Sequence, residues 1–316
     1  MIRATQLALS IALASSFLPG LAAAQAPFTF EERDGRLVLL EGTQPVFAYN
    51  HQPQLPPGVP PAYRRSTYIH PLWDLSGRVI TDDFPADHYH HRGVSWMWPR
   101  VAVGGTEYDL WHLRGIRQTF DRWLAREVDA SGATLGVKNS WTVGDRVVMD
   151  EEVWIRAHRA NEKGRAIDVR LVLTAREPVQ IRGTEEGNKG YGGFVLRLAP
   201  REDTRITTAD GLQTQDSDHL TPVWADGSGR FAGSDEFSGV AIFQHRDNPG
   251  FPAAWTLRHY GFVGNAWPSL GEFRFEPGKP VTLRYRIWVH RGDAQVGGVA
   301  EAYREYDGAA LPSAAN

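Results

Sequence analysis

Residues 281–290 read Val-Thr-Leu-Arg-Tyr-Arg-Ile-Trp-Val-His, with an apolar side chain at every second position. Successive side chains of a β-strand point to opposite sides of a sheet, so this period of two predicts a strand with one face in the core. The predicted core face consists of Val281, Leu283, Tyr285, Ile287 and Val289. The other face carries two arginines, a tryptophan and a histidine, which suits contact with a ligand or a second sheet better than bare solvent.

The same period continues upstream, where turn residues separate the apolar runs. Strands are predicted at Gln118–Ala133, Thr134–Asn139, Trp141–Ala157 and Ala166–Thr174. Within residues 147–158, the predicted core face consists of Val147, Met149, Val153, Ile155 and Ala157. Only Ala294–Tyr306 resembles a helix. The sequence therefore predicts an all-β protein, an antiparallel β-supersandwich with a short C-terminal helix, formed by residues 25–316 as a single domain.

Residues 1–24 have the composition of a signal peptide. One basic side chain, Arg3, precedes an apolar run that Pro19-Gly20 interrupts, and the small residues Ala22 and Ala24 suit cleavage by signal peptidase. A transmembrane helix would need about 20 uninterrupted apolar residues. We therefore expect a periplasmic or secreted protein that does not insert into the membrane after cleavage.

Charge and composition exclude several classes of function. The chain has 34 Lys+Arg against 37 Asp+Glu, and no basic block stands out, so nucleic acid is not an expected partner. The absence of cysteine excludes disulfides, thiolate metal sites and a cysteine nucleophile. Eleven tryptophans are available to stack on sugar rings, and a carbohydrate is the expected ligand. No pattern in the sequence defines an oligomeric state.

The densest group of titratable side chains lies between residues 70 and 93. It contains His70, Asp87, His88, His90 and His91. In an extended segment His88 and His90 point the same way and His91 points the other, so at least one pair can converge on a ligand. Imidazole serves as a general acid or base near neutral pH, or as a metal ligand. Three interpretations stay open: a site for acid–base chemistry or substrate binding, a hydrogen-bonded structural corner, and a divalent metal site at the four histidines.

A glycine-rich segment at residues 183–193 surrounds Lys189 and Tyr191 with five glycines. Glycine lets the backbone approach a ligand closely, which favours a binding segment ahead of the predicted strand at Phe194–Leu198. The alternative is a glycine-rich hairpin with solvated charges.

Several motifs together resemble a known family. They are His70-Pro71-Leu72, Thr81-Asp82, Asp87-His88-x-His90-His91-x-Gly93, Trp96, Asn188 to Phe194, His245, Gly250 and Arg284-Tyr285-Arg286. The chain is similar to the PmoA-like domain family of secreted bacterial proteins, a domain of unknown function often labelled "methane oxygenase". The resemblance covers nearly all of the chain after residue 24. It implies a galactose-mutarotase-like supersandwich and a role beside sugar-degrading enzymes, and it brings neither a reaction nor a catalytic residue set.

We expect a carbohydrate-active enzyme that abstracts a proton next to an anomeric or keto carbon, as an epimerase, lyase or hydrolase does. The expected catalytic residues are His88, His90, His91, Lys189 and Tyr191. In this scheme His88 or His90 is the general base, and Lys189 or Tyr191 stabilises the oxyanion or donates the proton. The expected substrate-binding residues are His70, Asp87, Arg92, Trp96, Arg197, His245, Trp255, Arg284 and Arg286.

Three alternatives stay open. A two-carboxylate glycosidase would use Asp87 with Glu185 or Glu186. A non-catalytic glycan-binding protein would keep the aromatic residues without needing clustered imidazoles. A metal-dependent oxygenase or lyase would place a divalent metal at His70, His88, His90 and His91, whereas the leading interpretation predicts no cofactor and no metal.

Export predicts a processed N-terminus. Because the small residues that end at Ala24 follow a short apolar stretch, we expect signal peptidase to cleave there and to leave Gln25 as the first residue. Mass spectrometry of the intact protein from a periplasmic fraction measures this directly. A mature chain that still begins at Met1 would contradict the prediction.

Overall fold

The computed structural model describes residues 26–231 and 233–308. The predicted signal peptide at residues 1–24 lies outside these residues. The described residues form 22 strands and one α-helix. In chain order these are β1 (Phe28–Arg33), β2 (Arg36–Glu41), β3 (Gln44–Asn50), β4 (Tyr68–Leu72), β5 (Val94–Met97), β6 (Arg100–Val103), β7 (Thr106–Tyr108), β8 (Arg117–Asp129), β9 (Gly132–Val143), β10 (Arg146–His158), β11 (Gly164–Ala175), β12 (Val179–Arg182), β13 (Gly193–Arg197), β14 (Arg201–Thr208), β15 (Gly211–Gln213), β16 (Ser217–Leu220), β17 (Trp224–Phe231), β18 (Phe237–Gln244), β19 (Ala254–Arg258), β20 (Phe262–Ala266), β21 (Glu272–Phe275), β22 (Pro280–Arg291) and α1 (Val299–Gly308).

The strands form two nine-stranded antiparallel sheets and a small third one. Sheet A has the order β1-β2-β3-β4-β5-β13-β20-β19-β16. Sheet B has the order β15-β14-β17-β18-β22-β11-β10-β9-β8, and sheet C has the order β21-β12-β6-β7. Strands account for 57% of the residues, and the helix is short and C-terminal, so the predicted fold class is confirmed.

Sheets A and B pack face to face through aromatic side chains. Phe194 on β13 stacks on Tyr285 on β22, with ring centroids 4.3 Å apart and planes 14° apart. Trp96 on β5 stacks on Phe194 at 6.2 Å. On β17 the sheets approach so closely that a Cβ at Gly227 would lie 2.6 Å from a methyl carbon of Leu198. The core therefore lies between the central strands of the two sheets.

β22 contains the predicted strand and follows its alternation. Leu283, Tyr285, Ile287 and Val289 are buried in the core between the sheets. Their neighbours on β22 point to the far face of sheet B, and α1 covers part of that face. The helix packs against it through Val299, Ala302 and Tyr306, which contact Ala166, Trp224, Ala241, Phe243 and Trp288.

Several predicted boundaries are wrong, each for a local reason. β8 ends at Asp129, whose carboxylate accepts hydrogen bonds from the backbone of Ser131 (2.7 Å) and Gly132 (3.0 Å), so Ala133 belongs to β9. A bulge in β10 buries Val148 in place of Val147.

The predicted C-terminal helix also begins later than expected. It starts at Val299 and not at Ala294, because the carboxylate of Asp293 closes a turn onto the backbone of Gln295 and Val296 at 3.1 Å. Gly298, with a φ of 61°, then directs the chain into the helix.

A carboxylate is buried on the core face of β10. Glu151 is fully buried and accepts hydrogen bonds from Asn139 (2.8 Å), Trp141 (2.8 Å) and Gln118 (3.0 Å). Burial raises its pKa, although these hydrogen bonds oppose the rise. Hydrogen bonds to one side chain on β10 thus connect it to donors on β8 and β9. The alternation of apolar residues in the sequence does not predict this network.

Removal of this carboxylate takes away the acceptor of the Trp141 indole and one acceptor each of Asn139 and Gln118. We expect Glu151→Ala to lower the free energy of unfolding by at least about 3 kcal/mol, measured by urea denaturation. Glu152→Ala is the matched control, because Glu152 lies on the opposite, half-exposed face of the same strand. Equal losses in the two variants would contradict this account of the network.

Candidate functional site

The histidine loop, residues 82–93, is the second part of the connection between β4 and β5 and leads directly into β5 on the outer face of sheet A. Arg92 holds it from inside: its guanidinium donates to the carbonyls of Tyr89 (2.7 Å), His91 (2.6 Å) and Tyr63 (2.6 Å), and lies 3.5 Å from the ring centre of Phe84. Arg92 is almost completely buried. The structure therefore gives Arg92 a positioning role in place of the predicted contact with substrate.

The loop brings three imidazoles into contact. The rings of His88 and His91 stack with centroids 4.7 Å apart, and those of His90 and His91 meet edge to face at 4.6 Å. The segment is not extended as expected. Its backbone turns, with His91 N donating to the carbonyl of His88 at 2.9 Å, so all three rings lie on one side.

A fourth imidazole joins from a segment that the sequence analysis missed. His112 lies in the turns that follow β7, and its ring centroid is 4.3 Å from that of His90. Asp109, three residues earlier, accepts a hydrogen bond from His112 Nδ1 at 2.8 Å and another from its backbone N–H at 2.8 Å. The signal in the sequence is Asp-Leu-Trp-His at residues 109–112, a carboxylate and an imidazole three positions apart. His88, His90, His91 and His112 are called the imidazole cluster below.

Crowding and burial keep parts of this cluster neutral. Burial lowers the pKa of His90 to about 3, with additional lowering from His112 and His88. The pKa of His91 falls even further, first because of burial and then because of His90 and His88. Both rings are therefore uncharged at physiological pH, when a neutral imidazole can accept a proton or donate a hydrogen bond.

A salt bridge and an exposed aromatic ring border the cluster. Arg197, at the end of β13, donates to both carboxylate oxygens of Asp87 at 3.0 Å, and its guanidinium lies 4.6 Å from the ring centre of Tyr260. His88 Nδ1 is 2.9 Å from an Asp87 oxygen. Burial raises the pKa of Asp87, but the contacts with His88 and Arg197 outweigh it and lower the net value. Tyr260 stacks on His88 at 5.3 Å and is 43% exposed.

Trp111 connects the cluster to the glycine-rich segment. Its ring centroid is 5.9 Å from that of His91 and 5.0 Å from that of Tyr191. Burial raises the pKa of Tyr191, so the phenol stays protonated. Lys189 is exposed, and its carbonyl, not its ammonium group, contacts Thr256 on β19. The structure thus brings Tyr191 close to the imidazoles and leaves Lys189 on the surface.

His70 occupies a separate environment on β4. Its Nδ1 lies 3.0 Å from Thr81 Oγ1, and its ring makes none of the aromatic contacts that join the cluster in the described part of the chain. Burial, followed by the charges of Arg36 and Arg92, lowers its pKa to about 3. Among the described residues, no group of three or more His, Asp or Glu side chains has an arrangement that could hold a metal ion.

Two predicted ligand contacts are core residues. Trp96 and Trp255 have 1% and 0% of their surface exposed, which leaves no face for a sugar. Trp255 donates to the carbonyl of Pro222 at 2.6 Å. Their hydrophobicity is therefore used in packing the two sheets.

Three other predicted contacts lie on the far face of sheet B. Because Tyr285 points into the core, Arg284 and Arg286 point away from sheet A, opposite the histidine loop. Arg286 pairs with Asp168 through two hydrogen bonds of 2.6 and 2.8 Å. His245 packs on Tyr306 of α1 at 5.5 Å. The substrate-binding residues expected from the sequence are thus divided between two faces of the molecule.

Two of the three carboxylates that a glycosidase would use, those of Asp87 and Glu185, form salt bridges with arginines. Glu185 pairs with Arg100 at 2.6 Å and also contacts Arg182. Asp87 is held by Arg197, as described above. Glu186 is exposed within the glycine-rich segment.

Two large antiparallel sheets with polar loops on the outside define a β-supersandwich protein. The chain belongs to a family of unknown function, DUF6807, which it matches over residues 36–304. This match supports the expected membership of a family without an assigned function and does not show the PmoA-like label. No curated protein matches the chain.

Solved structures resemble the fold at low sequence identity. A galactose mutarotase related enzyme from Lactobacillus acidophilus is 11% identical with a TM-score of 0.37, covering 83% of this chain and 97% of its own. Galactose 1-epimerase from Lactobacillus acidophilus NCFM is 10% identical with a TM-score of 0.38, covering 85% and 100%. A heparan sulfate lyase HepC mutant from Pedobacter heparinus is 9% identical with a TM-score of 0.39, covering 89% and 38%. At these identities and TM-scores the similarity concerns the fold alone, and neither the reactions nor the substrates of these proteins are inferred for this chain.

The depressed pKa of His70 predicts a pH-dependent stability. The folded value of about 3 lies below the ordinary 6.5, so protonation favours the unfolded chain as the pH falls below about 6.5. Between pH 7 and pH 5 we expect the free energy of unfolding to fall by about 2 kcal/mol more for the wild type than for His70→Gln. Urea denaturation at the two pH values measures the difference. An identical pH dependence of the two proteins would contradict the assignment.

Proposed function

We propose that this protein is an enzyme that performs acid–base chemistry on a carbohydrate at the imidazole cluster, in a reaction of epimerase, lyase or hydrolase type. One observation carries the proposal: four contacting imidazoles, one of them bonded to a carboxylate, lie beside an exposed tyrosine ring on the outer face of sheet A.

His112 is the proposed general base. His112 donates a hydrogen bond from Nδ1–H to the Asp109 carboxylate. The proton is therefore on Nδ1, and the lone pair of Nε2 is left to accept a proton. When Nε2 takes a proton from a sugar carbon or hydroxyl, the adjacent carboxylate stabilises the imidazolium. This hydrogen bond also fixes the orientation of the ring. His112 replaces His88 and His90 in the role that we expected from the sequence.

The neighbouring groups supply the complementary chemistry. His90, neutral and in contact with His112, does not add a positive charge that would oppose protonation of the base. Tyr191 holds its proton and lies against Trp111, the residue adjacent to His112, which suits it to donate a hydrogen bond or a proton to a developing oxyanion.

A sugar is the substrate that fits the border of the site. The exposed ring of Tyr260 offers an apolar surface for the face of a pyranose. Asp87, whose carboxylate is 49% exposed, can accept hydrogen bonds from sugar hydroxyls while Arg197 holds it in place. Polar acceptors next to an aromatic face are a common arrangement in carbohydrate sites.

Export of the protein is part of the proposal. It rests on the composition of residues 1–24, which suits a cleaved signal peptide. In the described part of the chain, no helix has the length and apolar character that crossing a membrane requires. An enzyme for glycan breakdown in the periplasm or outside the cell fits both observations.

Substitution of the base should remove turnover and leave the fold intact. We expect His112→Gln to lower kcat by about 10²-fold or more, measured by product chromatography after incubation with a panel of glycosides and 3-keto-glycosides. The matched control is His158→Gln, because His158 also pairs with an aspartate, Asp168 at 2.7 Å, but lies on sheet B, away from the cluster. The control should keep wild-type kcat.

Two outcomes would contradict the proposal. Equal losses of kcat in the two variants would remove the special role of His112. A wild-type protein that binds glycans from the panel and converts none of them would be a non-catalytic glycan-binding protein.

A further inference from the structure

Two arginines face each other on the far face of sheet B. Arg170 on β11 and Arg284 on β22 are directly opposite in the antiparallel register, and both are half-buried. Like charges at directly opposite positions destabilise a sheet. Burial and then the charge of Arg284 lower the pKa of Arg170, against a smaller opposite effect of Glu152. The pair therefore concentrates positive charge on this face of the sheet.

Nearby carboxylates do not neutralise the pair. Asp168 is occupied by Arg286 and by His158 at 2.7 Å. Glu152 lies 4.0 Å from Lys138, and its carboxylate accepts a hydrogen bond from the Trp154 indole. Among the described residues, no carboxylate oxygen lies within 4.0 Å of the guanidinium nitrogens of Arg170 or Arg284.

An indole extends the same row of the sheet. Trp154 on β10 is directly opposite Arg170 on its other side, and the Arg170 guanidinium is 5.4 Å from the indole centre. On β9 the position next to Trp154 is Gly136, where a Cβ would lie 2.8 Å from the ring. The glycine thus allows the half-buried indole to lie across the sheet, with the two arginines on one side of it.

We propose that Trp154, Arg170 and Arg284 form a binding site for a uronic acid residue of an acidic glycan. The pyranose ring would stack on the indole, and its carboxylate would lie between the two guanidinium groups, whose planar donors match a carboxylate. The chain as a whole has a charge of −3, so a polyanion is not attracted to the protein in general. The site is on the opposite side of the molecule from the imidazole cluster and does not depend on the proposed function.

Calorimetric titration with trigalacturonate tests the site on the full chain. We expect saturable binding that weakens with added salt, and at least about tenfold weaker binding to Arg170→Gln and to Arg284→Gln. Arg126→Gln is the matched control, because Arg126 also lies beside a tryptophan, Trp123 at 5.8 Å, but does not face a second arginine across the sheet. The control should bind like the wild type.

The free energy of unfolding of each variant is a second measurement, which distinguishes a loss of binding from misfolding. Because each substitution removes one of two repelling charges, the free energy of unfolding should stay the same or rise in Arg170→Gln and Arg284→Gln. Lower stability of both variants would overturn the claim that the pair is uncompensated.

Further outcomes would overturn the proposal. These are an absence of binding by the wild type, equal binding of the neutral trisaccharide maltotriose, and a stronger interaction with a sulfated trisaccharide than with trigalacturonate. Conversion of glycosides by Arg170→Gln at the wild-type rate is expected in every case, so failure of this proposal and failure of the catalytic proposal are distinguishable.

Discussion

The contact between Phe194 and Tyr285 fixes which side chains lie on the two outer faces of this protein. It joins β13, next to the central strand of sheet A, to β22 at the centre of sheet B. Because side chains alternate along each strand, fixing these two rings inward fixes their neighbours outward. Arg197 is thereby placed under the histidine loop, and Arg284 is placed on the opposite surface of the molecule. One packing interaction thus separates the imidazole cluster from the arginine pair.

Buried arginines hold the irregular loops above sheet A. A loop cannot satisfy its own carbonyl groups as a helix or sheet does, and Arg92 donates to two carbonyls of the histidine loop and to the carbonyl of Tyr63. Arg197 connects the same loop to β13 through Asp87. These contacts give the imidazoles fixed positions without regular secondary structure. Such support is what a site requires if its reacting groups are to be oriented before substrate arrives.

The imidazole cluster combines crowding with one ordered partner. Burial first, and then repulsion between neighbouring imidazoles, keeps His90 and His91 neutral, while His112 donates a hydrogen bond to Asp109. The arginine pair on sheet B shows the opposite case, since guanidinium groups do not lose their charge at physiological pH. An anion from outside the chain, bound between the two guanidinium groups, would reduce their mutual repulsion. The two faces therefore differ in the ligand chemistry that each can accept.

The sequence by itself determined the fold class, because the period of two along β22 and β10 encodes which side chains share a face. It also located the histidine loop and the glycine-rich segment, since both are local clusters of unusual composition. Only the tertiary structure decided which clusters meet. His112 joins the imidazoles across a turn, Trp96 and Trp255 are enclosed by the second sheet, and Glu151 is satisfied by donors from two neighbouring strands. Alternation tells on which side of a strand a residue lies, whereas the residues that cover that side come from distant parts of the chain.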